Sequence, residues 1–191
     1  MKFLLKDVFK VGIYCTDLNE DCNALSSFVY SLKDNFSGRV LSNVGGWQSN
    51  DLDLSTPALN SLVFNITAHV KEYASILGLN ETLHISNMWC NINGYKDFNR
   101  LHMHLDSMIS GVFYIKTPKD CGNIRFVSAH NDVMESAWEK SRTLYNPYNS
   151  PEWEMPAGAN VLYLFPSWLN HMVQPNLAKN EQRVSISFNC S

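Results

Sequence analysis

Five side chains in the second half of the chain are of types that bind metals or anions, and they are spaced for it. His102 and His104 stand in Asn99-Arg-Leu-His102-Met-His104-Leu-Asp106-Ser107. If this stretch is extended, residues 102, 104 and 106 project from one face, so two imidazoles and a carboxylate point the same way. A third histidine, His171, lies far downstream in Phe165-Pro-Ser-Trp-Leu-Asn-His171-Met-Val-Gln-Pro175, just before a predicted strand. A close pair plus a distant histidine, with coordination positions left open, is the pattern of a facial metal site for Fe(II) chemistry. Zinc would prefer a closed tetrahedral set, for which Cys15, Cys22, Cys90, Cys121 and Cys190 are badly placed. A His-x-His pair alone carries little weight, because such pairs on surface strands commonly bind nothing. The fifth residue sharpens the pattern: Arg183 opens Arg183-Val-Ser-Ile-Ser-Phe188, and alternation puts Arg183, Ser185 and Ser187 on one face of an otherwise apolar strand. A buried guanidinium there needs an anionic partner, which a dicarboxylate ligand supplies through a bidentate pair plus a hydroxyl hydrogen bond.

These residues need a scaffold, and the chain predicts one that changes character near residue 82. In the N-terminal third, Asp17 and Glu20 make a capping box before Leu18, Cys22, Leu25, Val29 and Leu32, which predicts a helix from about Asp17 to Lys33. A second helix starts from Ser55-Thr56-Pro57. It carries Leu59, Leu62, Val63, Ile66, Val70, Tyr73 and Leu77 on one face and ends at Gly78. Between them, Val44-Gly-Gly-Trp47-Gln-Ser-Asn50 reads as a loop. Beyond residue 82 come short apolar or alternating runs, with strands predicted over Leu83–Asn93, Ile109–Ile115, Asn123–Val127, Asn160–Phe165, Met172–Gln174 and Arg183–Phe188. Helices followed by many short strands indicate an α+β domain in which helices (1–81) brace one face of an antiparallel barrel or jelly roll (82–191). Ser128 to Met155 shows no clean periodicity but holds Trp138, Tyr145, Tyr148 and Trp153; a loop of that length is a lid or binding segment, or is disordered.

Composition narrows the class. A chain of 191 residues buries one sizeable core, and 45% hydrophobic with 17% charged residues excludes a mainly disordered chain, a coiled coil or a fibre. The net charge of −3 without any basic run makes nucleic acid an unexpected partner. The apolar stretch in Met1-Lys-Phe-Leu-Leu-Lys-Asp7 is too short for a signal-peptide core or a membrane span, so an intracellular, cytoplasmic protein is expected. Five cysteines without a CxxC read as buried or idle thiols rather than a disulfide framework.

The string His171-Met-Val-Gln-Pro followed by Arg183-Val-Ser-Ile-Ser resembles the distal-histidine and arginine strands of Fe(II)/2-oxoglutarate-dependent dioxygenases, including the prolyl hydroxylase type. More closely, Asn99, His102-x-His104, Ser110-Gly-Val-Phe-Tyr114, Gly122, Phe165-Pro-Ser-Trp-Leu-x-His171 and Arg183-x-Ser-x-Ser-Phe-Asn189 are similar to a 2-oxoglutarate-Fe(II) oxygenase family of bacteria and tailed bacteriophages. The resemblance covers the chain from about residue 83 to its end, with echoes at Gly45-Gly-Trp-Gln-Ser49. It implies a double-stranded β-helix with iron at its open mouth, and an enzyme that couples decarboxylation of 2-oxoglutarate to oxidation of a substrate. His102, His104 and His171 are the implied ligands, with Asp106 as the alternative third ligand, because most of the superfamily has His-x-Asp or His-x-Glu where this chain has His102-x-His104. Arg183, Tyr114 and Ser185 or Ser187 are implied to hold the distal carboxylate of the cosubstrate, and Asn91 and Asn93 to reach it from the strand leading into the site.

Other readings stay beside this one. A jelly-roll binding or structural module has the same fold and performs no oxidation. A cupin-like enzyme uses three histidines without 2-oxoglutarate, though it has no need of a buried arginine facing the metal. Trp47, Gln48 and Ser49 line the substrate mouth or simply anchor a Gly-Gly turn, while Trp168 and Leu169 serve as core or wall. His69 falls on the polar side of the second helix, His84 has no partner in sequence, and His130 and the aromatic segment 138–153 are available to a peptide or flat small-molecule substrate.

Overall fold

The computed structural model describes residues 4–80 and 82–191; residues 1–3, part of the opening stretch read for a leader, lie outside it. Among the described residues, eleven strands form two antiparallel sheets. The larger is ordered β1 (Tyr14–Asp17), β9 (Val161–Pro166), β6 (Ile109–Lys116), β11 (Arg183–Cys190), β4 (Ile85–Asn93) and β3 (Trp47–Gln48). The smaller runs β2 (Asn43–Val44), β5 (Phe98–His102), β10 (His171–Val173), β7 (Ile124–Val127) and β8 (Glu152–Met155). Two helices, α1 (Cys22–Asn35) and α2 (Asn60–Leu77), cover the outer face of the larger sheet. This is the helix-braced jelly roll expected from the sequence.

The strands of the larger sheet are buried on both faces, so alternation there sorts side chains between two interiors rather than between core and water. Val184, Ile186, Phe188 and Cys190 of β11 pack with Phe113 and Ile115 of β6 and with Leu62, Ile66 and Val70 of α2. Each such fully buried aliphatic side chain contributes about 1.5–3 kcal/mol relative to exposure. Val112 and Tyr114 of β6 point the other way, joining Ile124, Phe126, Tyr163, Phe165 and Leu169 between the sheets. Arg183, Ser185, Ser187 and Asn189 take that inner face on β11.

The second helix forms where predicted. Pro57 opens a short 3-10 turn over Pro57–Leu59, and Gly78, at φ +68°, closes α2 with its N–H on Ala74 and Ser75 carbonyls. The first helix starts later than the predicted Asp17. Residues 14–17 instead form β1, in register with Leu164–Val161 of β9, so pairing to the sheet edge overrides the local capping signal. Asp21 caps α1, its Oδ1 accepting from Asn23 N and Ala24 N at 3.0 Å, while Glu20 accepts from Asn65 on α2 at 2.6 Å. The N-terminal third is thus not helical alone: β1, β2 and β3 belong to the sheets. The segment 128–155 holds a short helix, α3 (Asn131–Trp138), with no buried residue, and the edge strand β8. No helix among the described residues is long and apolar enough to cross a membrane.

Candidate active site

Between the sheets lies a pocket of about 510 Å³, counting the solvent at its mouth. Its open end is made by histidines. His102 ends β5 and stands in register opposite His171, the first residue of β10; His104 follows two residues after the strand, fixed by its backbone N–H on the Ser167 carbonyl at 2.9 Å. The three rings converge, with centroids 5.0 Å (His102–His104), 4.3 Å (His102–His171) and 5.2 Å (His104–His171) apart. One nitrogen from each lies within 4.8 Å of the others, a spacing that can hold one metal ion.

Backbone carbonyls orient two of the rings. His102 Nδ1 lies 2.6 Å from the Arg100 carbonyl and His171 Nδ1 2.8 Å from the Leu169 carbonyl. A carbonyl only accepts, so each Nδ1 carries the proton and each Nε2 presents a lone pair. Burial favours the neutral form of all three: it lowers His102, takes His104 down to about 4 and takes His171 down to about 3, with the neighbouring imidazole charge of His102 adding to both of the latter. A neutral, unprotonated nitrogen is what a metal requires of a histidine. Trp89, with its ring centroid 5.9 Å from that of His104, and Phe165, 4.7 Å from that of His171, wall the cluster. Asp106 stands apart. The extended stretch stops at His102, and Asp106 falls in the following turn, exposed and outside the histidine group.

The opposite end of the pocket is basic and incompletely satisfied. Arg183 is 1% exposed, and its Nη1 donates to the carbonyls of Cys121, Gly122 (3.4 Å) and Gln174 (3.0 Å). Among the described residues no carboxylate forms a salt bridge with it, so the expected anionic partner is not found among their side chains. Its Nη2 is buried without any hydrogen-bond partner, as are the Tyr114 hydroxyl and Asn91 Oδ1. Burial lowers the Arg183 pKa and raises that of Tyr114 to about 12, so the pair is guanidinium and neutral phenol near neutral pH. A cation and an unused hydroxyl donor, both desolvated and lining one pocket, form a cradle for a carboxylate. Ser185 lines the same cradle, whereas Ser187 accepts from Asn91 Nδ2 at 3.1 Å. These orphaned donors fit the distal carboxylate of a dicarboxylic acid.

Several candidates lie elsewhere. Trp47 anchors the Gly45-Gly46 turn through Nε1 on the Phe36 carbonyl (3.0 Å), and neither it nor Gln48 nor Ser49 lines the pocket. Leu169 is core, while Trp168 is half-exposed. His69 is not merely solvated but lies 2.8 Å from the Tyr14 hydroxyl, and His84 and His130 are exposed and do not line the pocket. Sequence reasoning missed Trp89 and Ser42 as lining residues, and Gln174 and the Cys121 carbonyl behind Arg183. An aromatic before the metal motif is a usable signal for Trp89; a backbone carbonyl leaves none.

The family described as "Putative 2OG-Fe(II) oxygenase" matches residues 87–189, more than half of the chain. No curated protein matches the sequence. Similar solved structures include a Pseudomonas putida prolyl-4-hydroxylase (16% identity, 94% of this chain and 92% of that one, TM-score 0.62). HygX from Streptomyces hygroscopicus, with nickel, 2-oxoglutarate and hygromycin B bound, is another (10%, 95% and 83%, 0.64). A third is a Trichoplax adhaerens prolyl hydroxylase in complex with a hypoxia inducible factor peptide fragment (15%, 94% and 83%, 0.61). At these identities the likeness establishes the fold.

Proposed function

The chain belongs to the 2OG-Fe(II) oxygenase family, an oxidoreductase family that uses Fe(II) and 2-oxoglutarate, and on that premise we propose that His102, His104 and His171 hold the metal while Arg183, Tyr114 and Ser185 hold the distal carboxylate of 2-oxoglutarate. The enzyme then couples decarboxylation of 2-oxoglutarate to succinate with hydroxylation of a separate substrate. One observation carries the reading: a single pocket has three neutral, converging imidazoles at one end and an unpartnered buried guanidinium and phenol at the other.

Bound Fe(II) supplies the activation of dioxygen, which no side chain performs. The protein contributes everything else. The Arg100 and Leu169 carbonyls fix the imidazole tautomers so that Nε2 faces the metal position. Arg183 keeps its charge because three carbonyl dipoles surround Nη1, and it offers Nη2 to the carboxylate; the Tyr114 hydroxyl, held protonated, donates beside it. Val112, Ile124 and Phe165 supply apolar surface to the pocket between the two ends. The substrate is a small molecule or a peptide, as in the hygromycin B and peptide complexes of the structural neighbours. The five unpaired thiols suit the reducing cytoplasm.

Anaerobic titration of the metal-free protein with Fe(II) and then 2-oxoglutarate tests the assignment. The expected result is iron binding followed by a visible metal-to-ligand charge-transfer band, with no iron bound in His171→Ala and no band in Arg183→Ala. Iron binding without the band points to a three-histidine enzyme that does not use 2-oxoglutarate. Absence of iron binding makes the histidines structural and the protein a non-catalytic module.

A further inference from the structure

The back of Arg183 is as closely built as its front. Its Nη1 is held by carbonyls from two segments: Cys121 and Gly122 in the turn before β7, and Gln174 just after β10. These segments are tied to each other twice. Gln174 N donates to the Asn123 carbonyl at 2.9 Å, and Asn123 N donates to Gln174 Oε1 at 3.0 Å. The Gln174 side-chain amide is also fixed at its other end, Nε2 donating to Glu154 Oε1 on β8 at 2.7 Å. Gly122 permits the approach. It sits at φ +82°, and a Cβ there would stand 2.6 Å from the Gln174 carbonyl oxygen and 2.7 Å from that of Pro175. Both are backbone atoms, so no side-chain rotation relieves the clash.

We propose that the Cys121–Asn123 turn and Gln174 form a carbonyl clamp that positions Arg183 for the cosubstrate, with Gly122 and the Gln174 side chain as its positioning residues. A guanidinium is a rigid planar fork, so acceptors fixed on one terminal nitrogen set the direction of the other. Occupying Nη1 from behind leaves Nη2 as the donor that faces the pocket beside the Tyr114 hydroxyl. Neither Gly122 nor Gln174 lines that pocket, so each acts through Arg183 alone. The inference rests on the assignment of Arg183 made under Proposed function.

The test is calorimetric titration of the Mn(II)-loaded protein with 2-oxoglutarate and, separately, with oxalate, a metal chelator that has no distal carboxylate. Gln174→Ala and Gly122→Ala are each expected to weaken 2-oxoglutarate binding roughly tenfold, the scale of one lost or misdirected charge-assisted hydrogen bond, while oxalate and Mn(II) affinities stay unchanged. Gly78→Ala is the control, since it places the same left-handed strain (φ +68°) in open space at the end of α2 and leaves both ligands unaffected. If Gly122→Ala does not fold, Gln174→Ala decides. Unchanged 2-oxoglutarate affinity in folded Gln174→Ala overturns the clamp, as does a parallel loss of oxalate binding. Loss of 2-oxoglutarate in Arg183→Ala together with retention in Gln174→Ala overturns the clamp alone; failure of the wild type to bind 2-oxoglutarate overturns the clamp and the functional reading with it.

Discussion

The two faces of β11 share one backbone and one set of ladder hydrogen bonds, yet they are built on opposite rules. Toward the helices, Val184, Ile186, Phe188 and Cys190 are completely buried among other apolar groups and leave nothing unsatisfied. Toward the smaller sheet, Arg183, Ser185 and Asn189 are also buried and Ser187 is partly so, in a wall where Arg183 Nη2, the Tyr114 hydroxyl and Asn91 Oδ1 have no partner. Both faces are mostly buried, and satisfaction is what separates them most clearly. The outer face stabilises the fold; the inner face is under-satisfied, and in the proposed reading the cosubstrate carboxylate completes it.

The comparison breaks most decisively at Arg183. Arg183→Met should weaken 2-oxoglutarate binding by about 10²–10³-fold. Because a buried charge without a counter-ion costs stability, the metal-free variant should melt at the same temperature as the wild type or higher, as differential scanning calorimetry would show. A variant that loses both stability and binding would mean that Arg183 is primarily structural. Ile186→Ala, three residues away on the other face, should do the reverse: a loss of about 2–5 kcal/mol in denaturant unfolding from the cavity it leaves, with unchanged affinity for 2-oxoglutarate.

Acid sharpens the contrast next. His104 and His171 have folded-state values near 4 and 3, below the 6.5 of an unperturbed imidazole, so the unfolded chain takes up protons first as pH falls. Their contribution to metal-free stability is therefore complete above about pH 6.5 and declines from there toward pH 3. Melting temperatures between pH 7 and 5, where carboxylates remain ionised, should fall for the wild type and less steeply for His171→Gln; identical slopes would contradict this. The smallest effect is expected at Asp106. Asp106→Ala should leave Mn(II) affinity within about twofold of wild type, as for an exposed residue outside the site, and a large loss would bring the carboxylate into the coordination sphere.

How much of this is legible in the sequence depends on whether a residue's role is written in its own side chain. The long doubly buried strands β4, β6, β9 and β11 show as apolar or alternating runs, and the histidines and Arg183 announce themselves by type and spacing. The strands β1, β2, β3 and β8, which escape prediction, lie at sheet edges, while β5, interior to the smaller sheet, enters the sequence reading only as the conditional extension around His102. There the partner strand rather than local composition decides the conformation, as when β9 recruits residues that otherwise read as a helix start. The α3 helix escapes because none of its residues is buried, leaving no apolar face to detect. Within the site, the carbonyls of Arg100, Leu169, Cys121 and Gln174 orient the chemistry, and every residue type carries a carbonyl. Asp106 misleads for the complementary reason: alternation assumes an extended chain, and the chain turns after His102.

The register that sets His102 opposite His171 joins residues 69 positions apart in the chain. With His102, His104 and His171 as the proposed ligands, an unfolded chain would offer a metal only two of the three together, as the local His102-x-His104 pair, and the third nitrogen would arrive when β10 closes on β5. Ion binding to that set would then fall mainly on the native side of the folding equilibrium and stabilise the folded chain by mass action. The melting temperature would rise with the concentration of free metal ion, by the same mass action.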